Sequence, residues 1–300
     1  MKTQLVLLLL CLSSLNFGQN SIDLANVYYR TSPFNTVKDS AHTYSLNTVA
    51  VDSKLPLVLN DKNVAIVGLD YQKNQIKSSA NNRKNLDFSS MCVQIGLEHK
   101  WNATSKMLFM SITRLNTDFN SVGLDHMQQG GLVLGTTSHS TNFDWKYGAY
   151  YNGEFFGPMF VPLFGFNWKI NDHWRIKLIV PLNFELAYQP KDNFVAGIRF
   201  DGVNASFRTN QDPLQQGAYI DKADNNIWAF SEFEIGKNCW FHVKAGYSIL
   251  RKYRVYESTD KMNWKLGPVN IGDDRPAVVS SFQNGLSFEA RFIYRLQLNK

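Results

Sequence analysis

The chain has 300 residues, of which 44% are hydrophobic and 14% are aromatic, and its formal net charge is +6 at pH 7. A mean hydropathy of −0.27 excludes a bundle of transmembrane helices. The basic residues are dispersed among acidic ones, so this modest excess gives no reason to expect a nucleic-acid partner.

The N-terminus has the pattern of a secretory signal peptide. Lys2 supplies a positive charge, residues 5–12 form an apolar stretch, and polar and small residues follow up to Gln19. An apolar stretch of this length is too short to span a bilayer. We therefore expect export through the Sec pathway and cleavage of residues 1–19, which leaves residues 20–300 as a single domain.

The three cysteines are not expected to be modified or paired. Cys11 follows Leu10, where a lipoprotein signal requires a small residue, so we expect it to leave with the signal peptide. The strand phasing places Cys92 on a polar face and Cys239 on an apolar face. Because side chains on opposite faces of a sheet cannot bridge without backbone distortion, no disulfide is predicted.

Alternation of apolar and polar residues, the period of a β-strand, recurs along the rest of the chain. In residues 239–249 the two faces alternate, with Cys239, Phe241, Val243, Ala245, Tyr247 and Ile249 on one side and Trp240, His242, Lys244, Gly246 and Ser248 on the other. Further segments with this period are residues 65–71, 91–97, 174–180, 194–200 and 285–300.

The connections between these segments alternate in length. Short turns are predicted near residues 60–63, 99–105, 139–143, 170–173, 189–192 and 236–238. Longer loops are predicted near residues 31–40, 73–87, 116–128, 152–157, 208–224 and 251–280. Short periplasmic turns that alternate with long extracellular loops are typical of an outer-membrane β-barrel.

The strand count depends on two segments. A strand at residues 22–29 and a tight hairpin at Pro181 give 14 strands, with both termini on the periplasmic side. If residues 174–188 form one strand and the N-terminal segment lies outside the wall, the count is 12. The predicted fold is therefore an all-β, antiparallel transmembrane barrel of 12–14 strands, with 14 favoured.

The charged faces of the strands are predicted to line the lumen. Alternation alone does not tell which face is inside, and a secreted soluble β protein is the alternative. Three features favour lipid outside: the export signal, the aromatic residues Trp168, Trp174 and Tyr188 near strand ends, and the lack of helices that would cover the apolar faces. The residues predicted to line the lumen are Lys177, Glu185, Arg199, Glu232, Glu234, His242, Lys244, Glu289, Arg291 and Arg295.

The C-terminal segment "GLSFEARFIYRLQLNK" illustrates the two faces. Phe288 and Phe292 are expected to face lipid, whereas Glu289 and Arg291 face the lumen. On this reading a charge at Phe292 is costly and a charge at Ser287 is tolerated.

Several segments together resemble a known family. They are "LPLVLNDKNVAIVGLDY", "VPLFGFNWKINDHWRIKLIVPLNFELAYQ", "AGYSILRKYRVY" and "FEARFIYRLQL". They are similar to a family of bacteroidete outer-membrane barrels that is known only as a domain of unknown function. The resemblance implies the barrel fold over most of the mature chain and brings no catalytic or binding residues with it.

One short segment resembles an active-site motif. In "TSHSTNF", residues 137–143, His139 precedes Ser140 and Thr141, which resembles the His-x-Ser-Asn motif of outer-membrane lipid-modifying enzymes. The residue two positions after His139 is Thr141, and Ser140 points the other way, so a polar turn is the favoured interpretation. The spacing of the six histidines gives no ligand set, so neither a metal nor another cofactor is predicted.

The sequence supports three hypotheses about function. The first is a passive pore or small-solute channel, the second a non-conducting structural or surface-interaction barrel, and the third a lipid-modifying enzyme. The expected partners are outer-membrane lipids, the barrel assembly machinery and lipopolysaccharide, whose phosphates are candidates to meet Lys73, Lys77, Arg83 and Lys84 unless that segment is only a solvated loop.

Overall fold

A computed structural model describes residues 21–36, 43–79, 85–120, 122–210, 217–276 and 282–297. The predicted signal peptide, residues 1–19, lies outside the described residues and stays a prediction. No helix in the described part of the chain is both long and apolar enough to cross a lipid bilayer.

The described ranges contain sixteen β-strands. They are β1 (Ser21–Thr36), β2 (Thr43–Asn60), β3 (Asn63–Ser78), β4 (Leu86–Lys100), β5 (Ser105–Thr117), β6 (Met127–Ser140), β7 (Phe143–Glu154), β8 (Gly157–Lys169), β9 (Trp174–Val180), β10 (Asn183–Lys191), β11 (Phe194–Thr209), β12 (Ala218–Gly236), β13 (Cys239–Tyr256), β14 (Trp264–Leu266), β15 (Val269–Ile271) and β16 (Leu286–Gln297).

Fourteen of the strands form a closed antiparallel barrel. From β1 to β13 each strand pairs with the next along the chain, and β16 pairs with both β13 and β1. The closing seam runs from Ser21 opposite Gln297 to Thr31 opposite Phe288. The prediction of 14 strands is confirmed, including the tight turn at Pro181 and Leu182 between β9 and β10.

The barrel has a turn end and a loop end. The turn end carries both termini of the barrel and the six connections at residues 61–62, 101–104, 141–142, 170–173, 192–193 and 237–238. The loop end carries the other connections, among them residues 118–126 and the segment 257–285 between β13 and β16.

Several expectations about the loop end were wrong, because strands occupy part of the predicted loops. Strand β1 continues to Thr36, β3 continues to Ser78 and β12 begins at Ala218, inside the loops predicted at residues 31–40, 73–87 and 208–224. The connection predicted at residues 152–157 is a two-residue turn, Phe155-Phe156. The first six residues of the loop predicted at residues 251–280 belong to β13, which continues to Tyr256. At this end the strands extend past the apolar outer belt, so the alternation that marks a lipid-facing strand disappears.

The outer face of the barrel is an apolar belt. Exposed apolar side chains occur on every wall strand, and on most strands they recur at alternating positions, for example Val67, Leu69 and Tyr71 on β3. Aromatic rings gather at the turn end, where Trp174 lies 4.7 Å from Tyr188 between ring centroids. A continuous apolar exterior with an aromatic girdle suits the boundary between hydrocarbon and headgroups.

At the loop end, strands β11 to β13 lean across the lumen to the opposite wall. Phe207 on β11 packs against Phe88 on β4, with ring centroids 4.7 Å apart, although β4 lies seven strands away around the barrel in either direction. Lys222 Nζ on β12 donates a hydrogen bond of 2.9 Å to Asn74 Oδ1 on β3. The buried apolar residues that join the two walls form the mouth cluster, which consists of Leu46, Ile76, Phe88, Phe207, Ala218, Ile220, Tyr253 and Val255.

The wall is interrupted at one place, which we call the notch. Strands β9 and β10 have 7 and 9 residues, whereas the flanking strands β8 and β11 have 13 and 16. Residues 157–163 of β8 and 202–209 of β11 therefore extend beyond the turn at Pro181 without β9 or β10 beside them. The short hairpin β14–β15, which we call the wall hairpin, pairs with β8 in this space.

The two described cysteines are free thiols, as expected from the phasing. Cys92 is buried on the inner face of β4, and Cys239 lies on β13 opposite Tyr294 of the outer face.

The tolerance expected for a charge at Ser287 was wrong. Ser287 is fully buried and accepts a hydrogen bond of 2.9 Å from Arg251 Nη2, so a second cation has no room or partner there.

Phe292→Lys tests the outward direction of β16. Phe292 is 44% exposed on the outer face. A lysine there should lower the free energy of unfolding in bilayers by about 2–4 kcal/mol if the position lies near the bilayer midplane. Urea titration followed by heat-modifiable gel mobility measures the effect. Gln94→Lys is the matched control, because Gln94 lies on the inner face beside Asp70, and equal costs for the two variants would contradict the assignment of faces.

Candidate functional site

The candidate site is the inner face of the barrel towards the turn end, where the structure brings most of the predicted lumen residues together. They fall into two ion-pair groups, one on β1, β12, β13 and β16 and the other on β9, β10 and β11. Glu234 lies opposite Trp240 near the turn between β12 and β13.

Glu289 is the centre of the first group. Its carboxylate has no exposed surface and lies 2.6 Å from Arg30 Nη2, 3.0 Å from Lys244 Nζ and 2.9 Å from Arg291 Nη2. These partners come from β1, β13 and β16, so the ion pairs join the three strands that meet at the closing seam. The Arg30 guanidinium and the Lys244 ammonium also lie over the ring of the fully buried Trp228, at 5.3 and 5.6 Å from its centroid.

A second carboxylate, Glu232, extends this group towards the turn end. Arg295 Nη1 lies 2.9 Å from Glu232 Oε2 and its Nε lies 2.5 Å from Asp23 Oδ1. His242 Nδ1 lies 3.3 Å from Glu232 Oε1, and its ring packs against Phe230 at 5.3 Å between centroids. His242 is therefore held against a carboxylate and an aromatic ring.

The second group is centred on Glu185. Arg199 Nη1 lies 3.2 Å and Arg175 Nε 3.6 Å from its carboxylate oxygens, and Lys177 is its register partner on β9. Arg199 Nε also lies 2.6 Å from Asp201 Oδ1. Because Lys244 Nζ lies 3.8 Å from Asp201 Oδ2, the two groups are linked across β12.

Solvent reaches the inner face at the turn end. The side chains of Lys106, Arg175 and Arg199 are 29%, 31% and 33% exposed although all three point inward. We call this water-accessible, charge-lined space the vestibule. Among the described residues no group of three or more His, Cys, Asp or Glu is placed to hold a metal ion.

An apolar patch lies on the inner face of β5 and β6. Leu108 and Met110 on β5 stand opposite Leu134 and Leu132 on β6, and all four are partly buried on the inner face. Towards the loop end, Leu132 and Leu134 pack against a second buried group, the notch cluster. Its members are Phe155, Phe156, Met159, Val161, Leu163, Tyr219, Tyr256 and Met262.

Sequence reasoning missed some residues of the site. Arg30 lies just beyond the predicted first strand, although the alternation of Tyr28 and Arg30 with Val27 and Tyr29 continues past it. The inward Trp228 was missed because the surrounding stretch is apolar on both faces. Such a run signals that both faces are covered, but it does not tell which residues point inward.

The segment that resembles an active-site motif, residues 137–143, lies at the turn end, and its polar side chains make contacts within the turn. The His139 ring packs edge-on against Phe143, with centroids 6.5 Å apart, and Ser140 Oγ accepts a hydrogen bond of 3.3 Å from the Asn142 amide. These contacts form the tight turn between β6 and β7.

The segment between β13 and β16 is anchored by a separate ion pair. Arg275 Nε lies 2.6 Å from Asp273 Oδ1, and its guanidinium lies 4.2 Å from the Tyr256 ring centroid. The hydrogen bonds from Arg275 lower the pKa of the Asp273 carboxyl. Asp273 therefore stays ionised, and the anchor is intact, over the whole neutral range.

Glu289→Gln tests the ion-pair group at the seam. The substitution leaves three cations around a neutral amide in a nearly dry site, so we expect a loss of about 3–5 kcal/mol of unfolding free energy. Urea titration in lipid vesicles measures it. Glu98→Gln is the control, because Glu98 pairs with Lys106 at 3.1 Å and both side chains are more exposed than Glu289, so that change should cost under about 1 kcal/mol. Equal losses for the two variants would refute a central role of Glu289.

Comparison with solved structures finds other barrels. The COG4313 outer membrane channel from Pseudomonas putida F1 aligns over 94% of this chain and 100% of its own, with 9% identity and a TM-score of 0.49. The translocator domain of the autotransporter NalP from Neisseria meningitidis covers 98% and 95%, with 13% identity and a TM-score of 0.39. A TodX monoaromatic hydrocarbon channel mutant covers 93% and 91%, with 9% identity and a TM-score of 0.44. Likenesses this distant carry no argument about activity.

Comparison with curated proteins found no match. A family model does match, and it covers residues 23–295, which is nearly the whole barrel from the first strand to the last. The matched region thus coincides with the closed sheet and both ion-pair groups. The chain belongs to the family described as Domain of unknown function (DUF6268).

Proposed function

We propose that this barrel lies in the outer membrane and acts as a passive channel for small solutes. The apolar outer belt suits lipid, and closure of the sheet satisfies the backbone of the wall in the absence of water. The ten predicted lumen residues are proposed to set the charge environment of the solute path.

The vestibule is the observation that carries this proposal. A barrel of about eight strands is filled by side chains, whereas one of about 16 holds an aqueous channel. In this 14-stranded barrel, water reaches inward-pointing charges such as Arg175 and Arg199 at the turn end. Most of those charges have a partner of opposite sign nearby, so the path is polar without a dominant charge.

The mouth cluster closes the path at the loop end and acts as the proposed gate. Its contacts between opposite walls are noncovalent, and the ring pair Phe88–Phe207 is central to them. The same closure is the specific observation that favours the second candidate, a non-conducting structural barrel. The two candidates differ in whether the cluster opens.

The remaining proposals concern biogenesis and surroundings. Residues 1–19 serve as a cleaved Sec signal, the barrel assembly machinery inserts the strands, and the source is a bacteroidete. Lipopolysaccharide phosphates meet Lys73 and Lys77, which point outward near the loop end of β3. Lys73 already pairs with Asp87 at 3.4 Å, and Arg83 and Lys84 lie outside the described residues.

The double variant Phe88→Ala/Phe207→Ala tests the gate. Single-channel recording in planar bilayers should show rare openings for the unmodified barrel. Removal of both rings takes away the packing between β4 and β11, so the open fraction should rise by at least about tenfold, since roughly 1.4 kcal/mol corresponds to a factor of ten and each deleted ring costs more than that.

A matched control variant also lacks two phenylalanine rings, but at positions on the outer face, away from the gate. Phe288→Ala/Phe292→Ala removes two rings from the outer face of β16 and should leave the open fraction unchanged. If the gate variant is folded by heat-modifiable mobility and still silent, the channel proposal fails and the non-conducting barrel stands.

A further inference from the structure

The notch is wide enough to admit a small molecule sideways. Two strands are missing between β8 and β11 above Pro181, which at the level of this turn corresponds to three interstrand spacings, or about 14 Å between the two backbones. Towards the loop end the gap narrows, because Phe155 N, in the turn that leads into β8, donates a hydrogen bond of 2.8 Å to Ser206 Oγ on β11. On the far side, the edge of β11 is turned into the lumen, where Ser206 N donates a hydrogen bond of 2.8 Å to Glu154 Oε2. The amide of Ser206 is thus satisfied by a side chain rather than by another strand.

The wall hairpin fills this gap as a separate piece of wall. It consists of two strands, as many as are missing, and its residues Trp264, Leu266, Val269 and Ile271 are between 44% and 55% exposed. Lys265, between Trp264 and Leu266, is buried with its ammonium over Phe156. The hairpin therefore repeats the arrangement of the wall, with apolar residues outward and a charge inward.

The attachment of the wall hairpin is weak compared with that of a wall strand. Strand β14 pairs with β8 only at Met159 and Phe160, and Gly267 N donates one further hydrogen bond of 2.8 Å to Phe160 O. By contrast, β7 pairs with β8 along its whole length from Phe143 to Glu154. Among the described residues, β15 pairs with no strand other than β14.

A latch of side chains holds the hairpin segment from inside. Met262 is 2% exposed within the notch cluster, and its amide donates to Phe156 O at 2.8 Å. Arg275 reaches Tyr219 Oη at 3.0 Å and Asp221 Oδ2 at 3.4 Å on β12. A few noncovalent contacts therefore determine whether the notch is covered.

A series of packed apolar side chains leads from the notch to the vestibule. Met159 is the register partner of Lys265 in the hairpin and belongs, with Val161 and Leu163 of β8, to the notch cluster, against which Leu134 on β6 packs. Leu134 stands opposite Leu108 on β5, and Leu108 stands opposite Glu98, which pairs with Lys106 in the vestibule. Along this series the side chains on the inner wall change from apolar near the notch to charged in the vestibule, without a gap between them.

From this arrangement we infer that the notch is a lateral portal, gated by the wall hairpin, through which small apolar molecules pass between the outer leaflet and the lumen. The inference rests on the proposed function, because the portal and the proposed solute channel share the vestibule. The portal differs from the mouth cluster in position, in lining and in the kind of solute it admits.

A reversible crosslink between the hairpin and β8 tests the portal. Phe160 and Leu266 are register partners, both facing outward, so Phe160→Cys/Leu266→Cys in a Cys92→Ser/Cys239→Ser background places two thiols within disulfide reach. Because a two-residue turn joins β14 to β15, fixing β14 fixes the whole hairpin. The probe is N-phenyl-1-naphthylamine, added to cells that carry a lipopolysaccharide outer leaflet and produce the protein.

Oxidation should lower the rate of probe entry at least about fivefold, towards that of cells without the protein, and dithiothreitol should restore it. The control pair Leu97→Cys/Phe109→Cys, on the outer face of the neighbouring strands β4 and β5, should leave the rate unchanged on oxidation. Arg275→Ala, which removes the latch, should raise the rate about threefold.

Ion conductance through the mouth separates failure of the portal from failure of the channel. The crosslink should not change the conductance of Phe88→Ala/Phe207→Ala in planar bilayers. The portal is refuted if the unmodified protein does not speed probe entry, if the crosslink does not slow it, or if the crosslink also abolishes ion conductance. If the gate variant shows no ion conductance, the channel proposal is refuted, whereas the portal is still tested by the rate of probe entry.

Discussion

Closure of the sheet between β1 and β16 is the constraint on which the rest of the structure depends. A wall with an apolar exterior cannot satisfy its edge amides and carbonyls with water, so its first and last strands must pair with each other. The seam from Ser21 to Thr31 does this. Glu289 reinforces it from inside, since its three cationic partners come from both strands of the seam and from the next strand, β13.

Closure at this strand number produces an interior that side chains fill only in part. At the turn end the paired charges leave room for water, whereas at the loop end the walls meet through the mouth cluster. The two main ion-pair groups lie on β9 to β13, β16 and β1, whereas the notch cluster and the apolar residues that pack against it include inward side chains of β6 and β8. The proposed polar path and the proposed lateral portal therefore share one vestibule and have separate exits.

The sequence predicts the part of the fold that faces lipid. Alternation of apolar and polar residues, as at Val67, Leu69 and Tyr71, indicates a strand with hydrocarbon on one side. This pattern predicted the strand count and the inward direction of the Glu289 and Arg291 side chains. The same signal is lost where strands pass beyond the belt, as in residues 251–256. It is also lost where both faces are apolar, as in β8, whose Met159 and Val161 point inward while Phe160 points outward.

The wall hairpin was not predictable for a different reason. Its three-residue strands are too short for a period to be read, and the space it fills is created by β9 and β10, which lie far from it in sequence. Only the closed sheet shows that Pro181 ends the wall early and that residues 264–271 take the place of the missing strands.

Spin-label accessibility along β16 tests the central claim, which is that the apolar face of the barrel meets lipid and the charged face meets the lumen. Single cysteines at positions 288–294, in a background without Cys92 and Cys239, would carry the label in lipid vesicles. The account predicts high collision rates with oxygen, which concentrates in hydrocarbon, at Phe288, Ala290, Phe292 and Tyr294, and low rates at Glu289, Arg291 and Ile293. An inverted phase, or equal accessibility at successive positions, would contradict it.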